Sequence, residues 1–205
     1  AVFTDGRYTS QLKDEADASL YEFRHSIDQP PKAWIAEHLE GRALGYDPWL
    51  HTPADVATLS AACAKGGGKL VALDGNLIDT IWTDRPAPPL GRVFVHGMEY
   101  AGVSSTDKRR EIGLTLSAEK IDAVVLTAPD SVAWLLNIRG SDIDIAPLVL
   151  AFAILHGDGA VDLFIDPRKL DDDVRAHLGN DVHIQAPDAL GPALDGLGRD
   201  KRCVA

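Results

Sequence analysis

The first and last parts of this chain carry the same features in the same order. Residues 1–8 form an apolar run that ends in Asp, a turn residue and Arg, and residues 162–169 repeat this pattern. Each copy continues with an acidic helical stretch, a short alternating run and a proline, Pro31 or Pro187, that opens a helix. A period of about 160 residues is domain-sized rather than solenoid-sized. The pattern predicts two tandem, related domains, although chance similarity between two αβ units would give the same features.

The two copies begin and end at different points of this pattern. Residues 47–74 extend the first copy by a helix and a strand that the second lacks, and residues 123–154 precede the second copy as a strand, a helix and a strand that the first lacks. We therefore expect a first domain truncated at its front and a second truncated at its back. Three prolines in residues 86–89 indicate a stiff spacer, so the predicted domains are 1–84 and 85–205.

The strand and helix signals predict an α/β fold in which helices flank a mixed sheet. The β-branched run 123–127 is typical of a buried strand, and Pro129 opens a helix. Residues 148–155 and 161–165 are predicted as two strands. The Asp-Gly pair in residues 156–159 favours a hairpin turn between them.

Composition and charge exclude several classes of partner. The formal net charge is −11, and nucleic acids and anionic membranes need a clustered basic face. The one basic triplet, residues 108–110, is interpreted as a solvated helix face. The sequence has no apolar run long enough for a membrane span and no signal-like start, so we expect a cytoplasmic protein. Cys63 and Cys203 have no metal-binding spacing and are expected to be buried free thiols.

The usual catalytic and ligand-binding motifs are not recognisable. The glycines at 66–68 follow a helix that Thr52 is predicted to cap, whereas a phosphate loop would follow a strand. Three acids at 171–173 are typical of a first helical turn, where they complement the helix dipole. Ser131 lacks a nucleophile-elbow motif and is interpreted as a helix cap. A triad assembled only in space stays open at this point.

Residues 134–142 carry the most chemical content. A helix is predicted to end at Asn137, and Arg139 and Gly140 are expected to form a turn in which glycine permits a positive φ. An arginine beside exposed backbone donors would bind a carboxylate. The alternative is that Arg139 pairs with Asp142 or Asp144 of its own loop, or with a neighbouring domain.

Two passages of the chain resemble a known family. Residues 133–142, preceded by 122–127 and followed by 164–166, are similar to the second domain of three-domain Xaa-Pro aminopeptidases, the aminopeptidase P family. Residues 2–8 and 82–86 are similar to the later part of their first domain. Both domains of that family are creatinase-N-like. The resemblance therefore implies two related domains, in agreement with the internal repeat.

The resemblance also implies a function for the parent protein. Members of the family are metallopeptidases that remove an N-terminal residue preceding proline, and two divalent metal ions, Mn or Zn, are held by Asp, His and Glu of a third domain. None of those ligands matches a residue here, so no catalytic and no metal-ligating residue is assigned. The amino-terminal domains would form a wall over the active-site cleft and an oligomer contact surface. Arg139, Asp142 and His96 are the candidates for the cleft or interface.

Three functions are therefore compared. The first is a non-catalytic portion of such a metallopeptidase, whose partners would be the missing catalytic domain, a second copy in a homo-oligomer and the parent's peptide substrate. The second is a free-standing module that binds a peptide or protein. The third is a small α/β hydrolase, in which Ser131→Ala would abolish turnover. Truncation of the first domain further predicts an unpaired sheet edge and an exposed apolar face.

Overall fold

The computed structural model describes residues 1–200 and 202–205. Two compact units, Ala1–Pro86 and Ala87–Ala205, divide the chain. Both consist of short strands and helices, so the predicted α/β class is confirmed. Within the described residues, no helix combines the length and the apolar character needed to cross a membrane.

The first unit contains two separate pairs of parallel strands. In chain order its elements are β1 Val2–Thr4, α1 Thr9–Glu15, β2 Phe23–His25, α2 Pro31–His38, β3 Ala43–Tyr46, α3 Pro53–Lys65, β4 Lys69–Ala72 and α4 Leu77–Ile81. Strand β1 pairs with β2, and β3 pairs with β4.

Local sequence explains the longest helix of the first unit. The hydroxyl of Thr52 accepts a hydrogen bond from the backbone N–H of Asp55, and the Asp55 carboxylate accepts one from the N–H of Thr52. This reciprocal capping box satisfies two N–H groups that the first turn leaves free. Gly66 is the C-cap, as predicted. The helix packs on α2, and the buried core of the unit is Ile35, Ala62 and Cys63.

The second unit is built on one mixed four-stranded sheet and an antiparallel ribbon of two strands. In chain order the elements are β5 Val93–Val95, α5 Met98–Ala101, α6 Ser105–Ala118, β6 Ala123–Leu126, α7 Pro129–Leu136, β7 Ile138–Gly140, β8 Phe152–His156, β9 Val161–Phe164, α8 Asp172–Leu178, β10 Val182–Gln185 and α9 Leu190–Arg199. The sheet has the strand order β10-β9-β8-β6, and β5 and β7 form the ribbon. The isolated bridge from Val204 to Ala123 extends the sheet beyond β6.

The predicted hairpin is present, but its first strand begins later than expected. Strands β8 and β9 are antiparallel neighbours, and Gly159 in the turn has a φ of 87°. Residues 148–151 are not part of β8, contrary to the prediction. The backbone of Leu150 bonds to side chains instead of to a neighbouring strand. Its N–H donates to the Asp142 carboxylate, and its carbonyl accepts from Lys169.

The two copies of the Asp-x-Arg pattern form the same turn. The Asp5 carboxylate accepts hydrogen bonds from the backbone N–H of Arg7 at 2.9 Å and from its Nη2 at 2.6 Å. The corresponding bonds from Arg168 to Asp166 are 3.0 and 2.6 Å long. These bonds lower the pKa of each carboxyl from 3.8 to about 2. Three residues therefore determine this geometry locally.

The first unit exposes many large apolar side chains. Within the described residues, β1 pairs only with β2 and β3 only with β4, so each pair has an edge without a strand partner. Among the exposed side chains of this unit are those of Leu20, Ile27, Trp49, Leu50, Leu77, Ile78 and Ile81.

Candidate functional site

The ribbon of β5 and β7 brings two of the predicted candidates together. Phe94 of β5 lies opposite Arg139 of β7. The N–H of His96, just beyond β5, donates to the carbonyl of Asn137 at 2.8 Å. Side chains alternate between the faces of a strand, so Phe94 and His96 share a face with Arg139, while Ile138 on the other face is fully buried. The pleat therefore places His96 and Arg139 on the outer face of the ribbon.

The backbone at this point differs from the prediction. Residues 138–140 form a strand, not a turn, and Gly140 has no positive φ. The left-handed residue is Asn137, with φ 50° and ψ 49°, which ends α7. Glycine is needed at 140 for another reason, because a Cβ there would lie 2.7 Å from the Cβ of Val149. Asparagine tolerates the left-handed conformation better than most side chains.

Lys108 is buried against the end of α7. Its Nζ donates to the carbonyl of Trp134 at 2.8 Å and to Oδ1 of Asn137 at 2.7 Å. The same Nζ lies 4.3 Å from the centroid of the Trp134 ring, a cation–π distance. Burial, and next the charge of Arg139, lower the pKa of Lys108 below its usual value. Lys108 is 6% exposed, so its interpretation as part of a solvated face was wrong.

Arg109 is buried as well, with its Nη1 donating to the carbonyl of Gly159. Of the basic triplet, only Arg110 fits the predicted solvated face. A basic triplet on a helix does not reveal which positions the fold covers. The hydroxyl of Ser104 accepts from the N–H of Asp107 and sets the start of α6, but the burial of Lys108 depends on its contact with the end of α7.

Asn137 joins these groups. It is 2% exposed, and its Nδ2 donates to the carbonyl of Val103 while its Oδ1 accepts from Lys108. Its carbonyl also accepts from the N–H of His96, so Asn137 connects α6, α7 and the loop that follows β5. A buried polar residue with all these partners is a rigid centre.

Arg139 does not pair with Asp142 or Asp144, so that part of the alternative was wrong, whereas pairing with a neighbouring domain stays a prediction. Its Nη1 donates to the carbonyls of Ile138 at 2.8 Å and Ala133 at 3.4 Å. Among the residues that the structure describes, neither Arg139 nor Lys108 has an ion pair. Two neighbouring cations without an acidic partner create a local positive potential in an acidic protein.

Asp142 has a different environment from the other two candidates. Its Oδ1 accepts from the N–H of Gly91, and its Oδ2 accepts from the N–H of Leu150 and from Nζ of Lys169 at 2.8 Å. Both charged side chains of the Asp142–Lys169 pair are buried. Asp142 therefore ties three segments of the second unit together and offers no free oxygen at the surface.

Phe94 lies opposite Arg139, and two further aromatic side chains lie next to its neighbours His96 and Ala133. Tyr100 stacks on His96 with the ring centroids 5.7 Å apart. Phe94, Tyr100 and Trp134 are each exposed by 44% or more. We name the set of Phe94, His96, Tyr100, Trp134 and Arg139 the Arg139 surface. Tyrosine, tryptophan, phenylalanine and arginine are the residues enriched in protein interfaces.

Trp134 also lines a cavity of about 520 Å³. Its lining includes Asp130 and Ser131 but no histidine. Ser131 is not the cap of α7, contrary to the prediction, because the N-cap is Ala128 and the N–H of Ser131 donates to Asp130. The complete lining is Ile112, Val124, Leu126, Asp130, Ser131, Trp134, Leu135 and Leu155.

The remaining sequence predictions have mixed outcomes. Asp171 caps α8, and Asp172 and Asp173 lie in its first turn, as predicted. Cys63 is buried as expected, but Cys203 is exposed. Within residues 1–200 and 202–205, no three His, Cys, Asp or Glu side chains are grouped so as to hold a metal ion. The described residues do not fit a dinuclear metal centre.

Comparison with known proteins identifies the family. The Creatinase/Prolidase N-terminal domain family matches residues 84–204, more than half of the chain. The chain belongs to this family. The match contains the whole Arg139 surface, so these residues lie within a creatinase/prolidase N-terminal domain.

Similar proteins match nearly the whole chain. A probable Xaa-Pro aminopeptidase P of Aspergillus niger is 38% identical over 194 residues, which are 93% of this chain and 31% of that protein. A second, of Paracoccidioides lutzii, is 37% identical over 97% of this chain and 33% of its own. The X-prolyl aminopeptidase of Caenorhabditis elegans, described as a cytosolic enzyme with a di-nuclear active site, superposes with a TM-score of 0.84 at 32% identity. That match covers 98% of this chain and 34% of the worm protein. The chain thus spans about a third of the length of these relatives.

Proposed function

We propose that this chain is the non-catalytic amino-terminal portion of an Xaa-Pro aminopeptidase-like metallopeptidase. The complete enzyme would remove an N-terminal residue that precedes proline. The observation that supports this most strongly is the superposition of 98% of the chain on about a third of the worm X-prolyl aminopeptidase. The resemblance assigns two divalent metal ions, Mn or Zn, to the remaining part of the enzyme. The same comparison supports a cytoplasmic location.

In this proposal, the two units correspond to two creatinase-N-like domains, one incomplete at its front and the other at its back. The equal turns at Asp5 and Asp166 support a common origin. The domains would form a wall of the active-site cleft and a contact surface for a second copy. The Arg139 surface is the proposed region of contact, because its aromatic side chains are exposed on a rigid base formed by Asn137 and Lys108.

Arg139 would bind a carboxylate of the parent's substrate or of an adjoining subunit. Its guanidinium uses one nitrogen for backbone carbonyls and has no acidic partner in the described part of the chain. A carboxylate that accepts two hydrogen bonds from this guanidinium would also offset the electrostatic repulsion between Arg139 and Lys108. His96 would lie beside this contact, and Asp142 would keep the supporting loop in place.

The test uses the 205-residue chain and the complete parent polypeptide in parallel. We expect no cleavage of an Xaa-Pro peptide by the chain with Mn²⁺ or Zn²⁺, and cleavage by the complete protein. In the complete protein, Arg139→Ala should lower kcat/KM or weaken the oligomer by roughly tenfold, as loss of one charged hydrogen bond predicts. Arg168→Ala is the matched control, because Arg168 is exposed and, among the described residues, pairs with Asp166 of its own turn.

Two results would contradict the proposal in different ways. Turnover by the 205-residue chain alone, lost in Ser131→Ala, would indicate a small hydrolase. A reading frame that stops near Ala205, together with peptide binding by the purified chain in calorimetry, would indicate a free-standing binding module. Equal kinetics and equal oligomeric state for Arg139→Ala and Arg168→Ala would remove the assigned role of the Arg139 surface and leave the enzyme assignment intact.

A further inference from the structure

The cavity that Trp134 lines lies between two helices and the sheet of the second unit. Its floor is formed by Val124 and Leu126, whose side chains share one face of β6, and by Leu155 of β8, which lies opposite Val124. Ile112 of α6 forms one wall, and α7 forms the other. The volume of about 520 Å³ lies within the range of small-molecule sites.

The packing around the cavity explains why it stays open. Leu135 and Leu155 are each 1% exposed and belong to the main apolar cluster of the unit, so the base of the cavity is firmly packed. Lys108 holds the end of α7 against α6 through the carbonyl of Trp134. Nearer the start of α7, the lining residue is Ser131, whose small side chain leaves the space between the helices unfilled.

The two ends of α7 differ in charge. Asp130 lies in the first turn and is the one charged residue among the described residues that line the cavity. Its Oδ1 accepts from the N–H of Ser131, and it forms no ion pair within the described part of the chain. The ammonium of Lys108 is bonded to Trp134 and Asn137 at the other end, about 10 Å further along the helix. The cavity therefore has an acidic end at Asp130.

The side chain of Trp134 adds an aromatic surface to the lining. Lys108 covers one face of the indole ring, yet the side chain remains 52% exposed. An apolar group in the cavity can therefore pack against the indole as well as against the aliphatic floor. A mostly apolar cavity with a few polar groups at one end is typical of a site that binds a small amphipathic molecule.

We propose that this cavity binds an apolar primary amine, with its apolar part on Trp134 and the cavity floor and its ammonium on Asp130. Asp130 would repel a carboxylate at this end and would stay without a partner beside a neutral molecule. Lys108 does not offset this charge, because it is 6% exposed and already bonded to two oxygens. The site is independent of the carboxylate contact proposed for Arg139.

Two sources present this chemistry, a free amine and the amino end of a peptide whose first side chain is apolar. Both carry an ammonium beside an apolar group. The peptide also places a carbonyl next to its ammonium, where the hydroxyl of Ser131 can donate a hydrogen bond. Phenethylamine and phenylalanine amide are therefore the probes that distinguish the two sources.

The test compares probes of matched size and different charge. Calorimetry gives the Kd of phenethylamine, phenethyl alcohol and phenylacetate for the 205-residue chain and for the complete parent polypeptide. NMR titration of the chain follows the amide of Ser131 and the indole N–H of Trp134. Asp130→Asn removes the charge, and Ser131→Leu fills the cavity. Asp172→Asn is the matched control, because Asp172 is an exposed acid in the first turn of α8.

We expect phenethylamine to bind roughly fivefold more tightly than phenethyl alcohol, the factor for an exposed ion pair, and phenylacetate to bind most weakly. Asp130→Asn should abolish the preference for the amine and leave the Kd of the alcohol unchanged, whereas Asp172→Asn should change neither. Ser131→Leu should weaken binding of all three probes. Tighter binding of phenylalanine amide than of phenethylamine would assign the peptide's amino end, and equal or weaker binding would assign the free amine.

Several results would overturn the proposal. These are no binding of any probe, equal Kd values for the amine and the alcohol, tighter binding of phenylacetate, and an amine preference that survives Asp130→Asn. Binding to the 205-residue chain but not to the complete parent would show that another part of the parent covers the cavity, and would overturn it as well. The measurements involve no peptidase activity, so their outcome is independent of the proposed enzyme.

Discussion

The two units of this chain share a local design but differ in how much they bury. Both contain a parallel strand pair that ends in the same Asp-x-Arg turn. Yet of the buried apolar residues in the described part of the chain, three lie in the first unit and twenty-two in the second. The difference shows that a turn of three residues forms from its own sequence, whereas burial requires the central strands of a sheet, which carry side chains on two covered faces.

The largest expected difference between the units comes from the matched phenylalanines. Phe164→Ala should reduce the free energy of unfolding of the second unit by roughly 3–5 kcal/mol, because its side chain is 1% exposed within a closed cluster. Phe3→Ala should cost only about 1 kcal/mol in the first unit. Native-state hydrogen exchange with peptide resolution measures both. Equal losses would mean that the first unit is as well packed as the second.

Removing an ion pair should also cost more unfolding free energy in the second unit than in the first. Asp142→Ala should destabilise the second unit by about 3 kcal/mol, because it leaves the buried Lys169 ammonium without its charged partner and two backbone N–H groups without an acceptor. In the first unit, Glu40→Ala removes an exposed pair with Arg42 and should cost less than about 1 kcal/mol. Urea unfolding of both variants provides the measurement. A small effect of Asp142→Ala would show that the pair does not hold the loop.

The smallest expected difference concerns acid titration, for which the units should be equal. The folded pKa of Asp5 and of Asp166 is about 2, below the value of 3.8 for a free carboxyl. Their stabilising contribution is therefore present above about pH 4 and is lost as the pH falls towards 2. Carbon-13 NMR of the carboxyl groups should give matching titration curves, and Arg7→Gln and Arg168→Gln should raise each pKa towards 3.8. Clearly different titration curves would show that the two turns are not equivalent.

Sequence patterns predicted the local elements better than the site. The cap at Thr52, the acidic first turn of α8 and the hairpin at Gly159 follow from residue types that act within a few positions, and all three are confirmed. Lys108 was missed because a charged helical residue is buried only when another element covers it. The strand at Arg139 was taken for a turn because its partner β5 lies more than forty residues away in the sequence.

The sequence by itself determined the α/β class and the resemblance to Xaa-Pro aminopeptidases, and it predicted the internal repeat, because short-range patterns and their order carry that information. The tertiary structure decided which charges are buried, that Asn137 rather than Gly140 has the left-handed backbone, and that Asp142 belongs with Lys169 and not with Arg139. The physical reason is the same in each case. Burial and ion pairing depend on which distant segments meet, and no local pattern records those contacts.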